Sequence, residues 1–334
     1  MNATRTLDIH THVLTEEMMA RLGKESPKVA ARMSALDKDS FVLEIAGVPY
    51  RPFPRGGFDL ERRFADMDAA EVDAHVLSAT PQSYLYEQEA ALTAACAAMQ
   101  NEAIAKLVAA HPDRFLGIAT LPMQSGELAA KELTRAVKTL KLSGTMIGSN
   151  VMGRNLDHPD FDPLWAAAES LDVPIIIHPA NVGAADRLRS YYLNNLIGNP
   201  LDTTIAAASL VFGGVLERHP KLKVLLVHGG GFVPYQAGRW VHGWHVRSEP
   251  KINIKQSPEP WINRFYYDTI LHSEASLDFL IGSVGAERVL LGSDYPYDMG
   301  TGECVRQVRA LPIPEGDKAT VLSTLPWELF GKRG

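Results

Sequence analysis

Short apolar runs recur along the chain at residues 5–9, 74–80, 115–123, 142–150, 173–180, 223–228, 265–271 and 288–294. Most are rich in β-branched residues and almost uninterrupted, as in Val173-Pro-Ile-Ile-Ile-His178. A strand buried on both faces reads this way, whereas a strand with one wet face alternates. Helical patterns lie between most of the runs. Residues 87–110 are Ala-rich with their charges spaced apart, and residues 126–140 carry Leu128, Leu133, Val137 and Leu140. Residues 160–171, 203–218 and 273–284 read as further helices. Strand–helix units repeated through eight apolar runs predict an α/β protein, a (β/α)8 TIM barrel of parallel strands, with a doubly wound open sheet as the competing arrangement.

The interval between the first two runs is too long for a simple crossover. Residues 13–73 are expected to contain a helix over 18–33, a hairpin over 41–50 turning at Ala46-Gly47, and a loop over 51–57. An insertion of this length at a barrel mouth reads as a small lid on a single domain spanning 1–334. Residues 326–334 read as a short docking helix with a frayed end.

Composition narrows the field. At 334 residues and 46% apolar content, the chain can bury a large core. A net charge of −6 argues against a nucleic-acid partner, for which a basic stripe would be expected. Two cysteines, Cys96 and Cys304, make neither a disulfide framework nor a thiolate cluster. The first residues lack an apolar leader, and no apolar stretch reaches the ~20 residues needed to span a bilayer. A cytoplasmic protein with no membrane partner is the expectation.

Chemistry gathers at the carboxyl ends of the predicted strands. The first ends in His10-Thr11-His12, the fifth in His178, the sixth in His228 and the eighth in Asp294. Each has an ordinary reading alone: a histidine pair without metal, a strand-end histidine bonding a carbonyl, an aspartate capping a helix. Their conjunction changes the reading, because a barrel converges its carboxyl-terminal strand ends on one mouth. His10, His12, His178 and Asp294 are therefore expected to hold one divalent cation, Zn²⁺ first and Mn²⁺ second. The fourth strand ends in Thr145-Met-Ile-Gly148, with no Lys or Glu to bridge a second ion. His228 is expected to act as base on a metal-bound water, since imidazole exchanges protons readily near neutral pH. Gly229-Gly230-Gly231 after it would admit positive φ and a close approach to ligand. Asp8 is expected to face away from His10 in a supporting role.

These motifs resemble the amidohydrolase superfamily, and within it the metal-dependent decarboxylases. The resemblance runs through Asp8-Ile-His-Thr-His12, residues 58–68 (Phe-Asp-Leu-Glu-Arg-Arg-Phe-Ala-Asp-Met-Asp), His178-Pro179, His228-Gly-Gly-Gly231, Gly238-Arg239 and Leu291-Gly-Ser-Asp-Tyr-Pro296. It implies a zinc barrel that decarboxylates a small unsaturated or aromatic acid of the muconate-semialdehyde type. It also implies that Arg51 binds a substrate carboxylate and that Arg239 does so from a neighbouring subunit, which would make the active unit a homodimer. Arginine suits that task because its planar fork grips a carboxylate with two hydrogen bonds. One departure stands out. The family pattern places a tryptophan in the loop after the fifth strand, where this chain has Arg189-Ser-Tyr-Tyr192. Tyr191 or Tyr192 is then expected to stack on a flat ligand.

The competing activity is metal-dependent hydrolysis of a C–N, lactone or C–C bond, with Asp294 shuttling the proton. Of the remaining histidines, His111 and His219 read as helix ends, His158 as loop and His75 as strand interior. His242 and His245 are expected at a subunit contact or the pocket, and His272 is a further pocket candidate.

Overall fold

The computed structural model describes residues 5–331. Its strands are β1 (Leu7–Val13), β2 (Ala31–Ala35), β3 (Ser40–Ile45), β4 (Val48–Pro54), β5 (Ala74–Ala79), β6 (Phe115–Gly117), β7 (Thr145–Gly148), β8 (Pro174–His178), β9 (Lys223–Leu226), β10 (Tyr266–Asp268) and β11 (Val289–Leu290). β1, β5 and β6 form one parallel sheet, and β7 through β11 form a second. Hydrogen bonds join the two at both seams. Ala119 N–H donates to Gly144 O at 2.9 Å, and Met146 N–H donates to Ala119 O at 3.0 Å. Across the other seam, Ile9 N–H reaches Leu291 O at 2.9 Å and His12 N–H reaches Tyr295 O at 2.7 Å. The parallel strands therefore close into a ring, as the apolar runs predict. Every residue of β1, β5 and β8 is buried, which is why those segments do not alternate.

Helices pack around the ring between successive strands, including Ala90–Ala110, Gly126–Lys138, Asp162–Leu171, Asn199–Phe212 and Glu274–Val284. Their starts follow from local chemistry. Ser125 accepts from Leu128 N and Ser273 from Ser276 N, each followed by an acidic first turn. Among the described residues, no helix is long and apolar enough to cross a membrane. The final helix, Leu325–Phe330, docks through Trp327, whose indole N–H donates to Arg5 O at 2.7 Å.

The insertion differs from the sequence expectation in two places. The helix over 18–33 is Glu16–Glu25, and residues 31–35 form β2 instead. Pro27 explains the stop, because proline disfavours helix in the residue before it, and Ser26 is extended. The loop over 51–57 is also part strand: β4 runs through Pro52 to Pro54 before a short 3₁₀ turn at Arg55–Gly57. β4 lies at the edge of the antiparallel β2–β3–β4 sheet, where proline's missing N–H is tolerated. The hairpin does turn at Ala46-Gly47, both with positive φ (53° and 77°), the backbone a tight two-residue hairpin requires.

Asp8 also needs a structural explanation. Strict alternation would set it on the same side as His10, yet it lines a separate cavity with Met67, His75 and Cys304. The pairing of β1 with β5 slips in register between Asp8 and Thr11, and that irregularity separates the two side chains.

Candidate metal centre

β1 delivers His10 and His12 to the mouth of the ring, and both are fully buried. β8 ends on His178, while Asp294 follows β11 in a left-handed turn with φ 59°. One ligand atom from each of these four residues lies within 4.8 Å of the others. Asp294 Oδ1 is 3.3 Å from His10 Nε2 and 3.2 Å from His12 Nε2. These approaches are not aligned as hydrogen bonds. His10 Nε2, His12 Nε2, His178 Nε2 and Asp294 Oδ1 are all buried without a hydrogen-bond partner. Leaving four polar atoms orphaned around one point is costly, and a single divalent cation would satisfy all of them.

The opposite ring nitrogens set the orientation. His10 Nδ1 donates to Asp268 Oδ2 at 2.7 Å, and His178 Nδ1 donates to Pro179 O at 3.0 Å. His12 Nδ1 stands 3.1 Å from Ser78 Oγ. Each imidazole thus turns Nε2 inward, as outer hydrogen bonds do in metal sites. Asp268, at the end of β10, also accepts from Gly229 N–H at 2.8 Å and so ties His10 to the turn after β9.

Protonation favours ligation at three of the four groups. Burial pushes His12 down to about 4 and His178 well below the ordinary imidazole range. Burial opposes charge on Asp294, but the neighbouring His10 holds its carboxyl well below the usual carboxylate range. His10 is the exception. Desolvation lowers its pKa, but Asp294 and Asp268 outweigh that and raise it to about 10. In the metal-free protein, His10 therefore carries the positive charge that a bound cation would replace.

His228 faces the group from the turn after β9, its Nε2 3.5 Å from Asp294 Oδ2 and its side chain partly exposed. Its Nδ1 is buried without a partner. Gly229, Gly230 and Gly231 all have positive φ, as their sequence allows. What they make room for is protein and not ligand: a Cβ on Gly231 would stand 2.2 Å from Pro200 O.

Above the ligands opens a cavity of about 740 Å³, reaching His178, His228 and Asp294. Tyrosines dominate its wall: Tyr50, Tyr84, Tyr86, Tyr192 and Tyr297. The inserted hairpin contributes Ile45, Val48 and Tyr50. Among the described residues lining it there is no lysine or arginine. Tyr192 lines the cavity half-exposed, whereas Tyr191 is 88% exposed and does not. Arg51 is exposed on β4 and Arg239 is exposed on the helix Val233–Val246, neither lining the cavity within one chain.

The family model described as "Amidohydrolase" matches residues 7–331. The chain belongs to the amidohydrolase family. Among its relatives is the 2-amino-3-carboxymuconate-6-semialdehyde decarboxylase of Dictyostelium discoideum, 34% identical across 97% of this chain and 91% of that protein. The structure of 5-carboxyvanillate decarboxylase from Sphingomonas paucimobilis superposes with a TM-score of 0.84 at 26% identity, covering 98% of this chain and 99% of that one. A dihydroxybenzoic acid decarboxylase from Polaromonas, solved with bound manganese, shares the fold with a TM-score of 0.80 at 24% identity over 98% and 97% of the two chains.

Several further residues of the site are not marked by the strand-end histidines and aspartate. Asp268 falls inside the apolar run 265–271, and only the observed end of β10 at Asp268 places it at the mouth. Tyr84 and Tyr86 follow the second barrel strand, and Tyr297 follows the Gly-Ser-Asp-Tyr-Pro motif. Loop conformation, which local patterning does not encode, turns all three inward. His272 is exposed and lies away from the cavity, contrary to the pocket expectation. His242 and His245 are exposed too and do not line it. His75 is buried in β5, with its pKa pushed well down by desolvation.

Proposed function

We propose that this chain is a metal-dependent decarboxylase of a small unsaturated or aromatic carboxylic acid. The observation that carries the reading is the set of orphaned Nε2 and Oδ1 atoms from His10, His12, His178 and Asp294. Relatives named as decarboxylases support the reaction class. A divalent cation held by the four would supply positive charge to stabilise oxyanion character in an acid losing CO₂. Zn²⁺ is the proposed ion and Mn²⁺ the alternative, since a nitrogen-rich set with one carboxylate accepts either.

The chain's own groups do the rest. His228 stands at the cavity floor, where its Nε2 can hold or deliver a proton within reach of Asp294 Oδ2. Protonation of a substrate carbon would break conjugation, and loss of CO₂ would restore it. The tyrosine wall offers π faces and hydroxyls to a flat, oxygenated ligand. Tyr192 is the proposed stacking residue, with exposed Tyr191 beside it at the rim. The β2–β3–β4 insertion serves as the lid, because Ile45, Val48 and Tyr50 already form part of the wall.

Arg51 and Arg239 are proposed to clamp a substrate carboxylate in a homodimer, with Arg239 reaching the neighbouring site. Arg239 lies outside the cavity of its own chain and serves this role only from a second chain, whereas Arg51 directly follows the wall residue Tyr50 on β4. A reducing, cytoplasmic setting is proposed because Cys96 and Cys304 are both free and buried.

Hydrolysis would use the same residues, since His228 and Asp294 could equally activate water. Incubating metal-loaded protein with muconate-type and hydroxybenzoate-type acids in ¹⁸O-water, while trapping CO₂, separates the two. Released CO₂ without ¹⁸O in the organic product supports decarboxylation. ¹⁸O in the organic product without CO₂ rejects it.

A further inference from the structure

We propose that Arg63 is the positioning residue of the metal centre: its guanidinium, sealed behind the barrel wall, grips the two segments that carry His12 and Asp294. This rests on the metal reading above and concerns a residue outside the cavity. Arg63 lies on the helix Leu60–Ala69 and is fully buried. Among the described residues it forms no ion pair with a carboxylate, Asp8 and Asp66 acting on its charge only from further off, and its Nε has no partner. Burying a cation under those terms opposes folding. A methionine would fill the same space between helix and barrel without that cost.

What the guanidinium touches gives the reason. Its Nη2 donates to the backbone carbonyl of His12. The N–H of that same His12 donates to Tyr295 O at 2.7 Å, so the ligand's backbone is held at both polar groups. The guanidinium carbon also lies 4.7 Å from the centroid of the Tyr295 ring, and Tyr295 is the residue after Asp294. Nη1 reaches His75 Nδ1 at 3.3 Å, bracing Arg63 against β5. One turn along the helix, Asp66 accepts from the Tyr295 hydroxyl at 2.9 Å. The helix therefore fastens the β1 terminus and the segment after β11 together, across the seam where the ring closes. A rigid fork with several fixed donors can do this; a lysine's single ammonium cannot reach all three partners. The motif at residues 58–68 acquires a physical role on this account.

The test compares Zn²⁺ affinity of purified, metal-stripped protein, by competition with a chromophoric chelator, in wild type, Arg63→Met, Arg63→Lys and Met67→Ala. Met67 is buried on the same helix and touches neither ligand segment through a hydrogen bond, so it reports on loss of packing alone. Affinities are scaled to the folded fraction measured by circular dichroism. Arg63→Met is expected to weaken Zn²⁺ binding by about 10- to 100-fold, Arg63→Lys by an intermediate factor, and Met67→Ala not at all. Wild-type affinity in folded Arg63→Met or Arg63→Lys overturns the proposal, as does an equal loss in Met67→Ala. Should Arg63→Met not fold, Arg63→Lys decides by the same criterion. A wild-type protein that binds neither Zn²⁺ nor Mn²⁺ defeats the metal reading itself, and this proposal with it, before any variant is compared.

Discussion

His10 and His12 are chemically identical, two residues apart and equally buried, yet their surroundings drive their protonation in opposite directions. His12 falls to about 4 because burial dominates, whereas Asp294 and Asp268 carry His10 up to about 10 against its own desolvation. The sign for metal uptake follows. Below about pH 10 the metal-free site holds a proton on His10, and a cation must expel it, so affinity rises with pH. We expect Zn²⁺ affinity to increase about tenfold per pH unit through neutrality, with about one proton released per ion. Calorimetry in buffers of differing ionisation enthalpy measures that release, and a pH-independent affinity would refute the assignment. Asp268 keeps the Nε2 of His10 turned inward, so Asp268→Ala should weaken metal binding by about 10- to 100-fold. His228 is not in the group of four that could hold the ion, and its proposed role is that of a base. Its replacement by glutamine should leave metal content intact by elemental analysis while lowering kcat by about 10²- to 10⁴-fold.

Elements show where local patterning suffices and where it stops. The barrel strands were legible because burial on both faces leaves uninterrupted apolar runs, and the hairpin was legible from Ala46-Gly47. The end of the insertion's helix was misplaced because Met18 and Met33 are both apolar, although Pro27 already marks the break. Arg51–Pro54 read as loop because two prolines argue against a central strand, and only the sheet order shows that this strand is an edge. Two glycine–alanine exchanges test the backbone argument. Ala46 carries a side chain at φ 53°, so Ala46→Gly should stabilise the hairpin by about 1 kcal/mol and raise Tm. Gly231→Ala meets both a positive φ and the Pro200 carbonyl, and should lower stability by about 2 kcal/mol or more. Thermal unfolding of the purified variants checks both directions.

At the scale of the whole molecule, ring closure makes a site from residues 10 to 294. The seam between β1 and the segment after β11 is the critical join, since His12 and Tyr295 hydrogen-bond across it beside the ligands. Among the described residues no lysine or arginine lines the cavity above, which makes assembly consequential for binding an anion. If Arg239 reaches the neighbouring site, Arg239→Ala and His228→Ala proteins will each be inactive alone. Refolded together, half of the dimers are mixed, and each mixed dimer holds one complete site. About a quarter of wild-type activity should return. No recovery in mixtures shown by light scattering to be dimeric would place Arg239 outside the neighbouring site.

The order of apolar runs, the eightfold strand–helix rhythm and the donor types at strand ends were all determined by the chain's local sequence, because strand burial and side-chain alternation act over a few residues. Tertiary structure alone decided that β1 slips in register between Asp8 and Thr11, that Arg63 lies buried behind His12, and that Tyr84, Tyr86 and Tyr297 wall the cavity. Each of those outcomes depends on a register irregularity, a helix docking or a loop turn that brings together residues tens to hundreds of positions apart. No periodicity within a segment records such meetings.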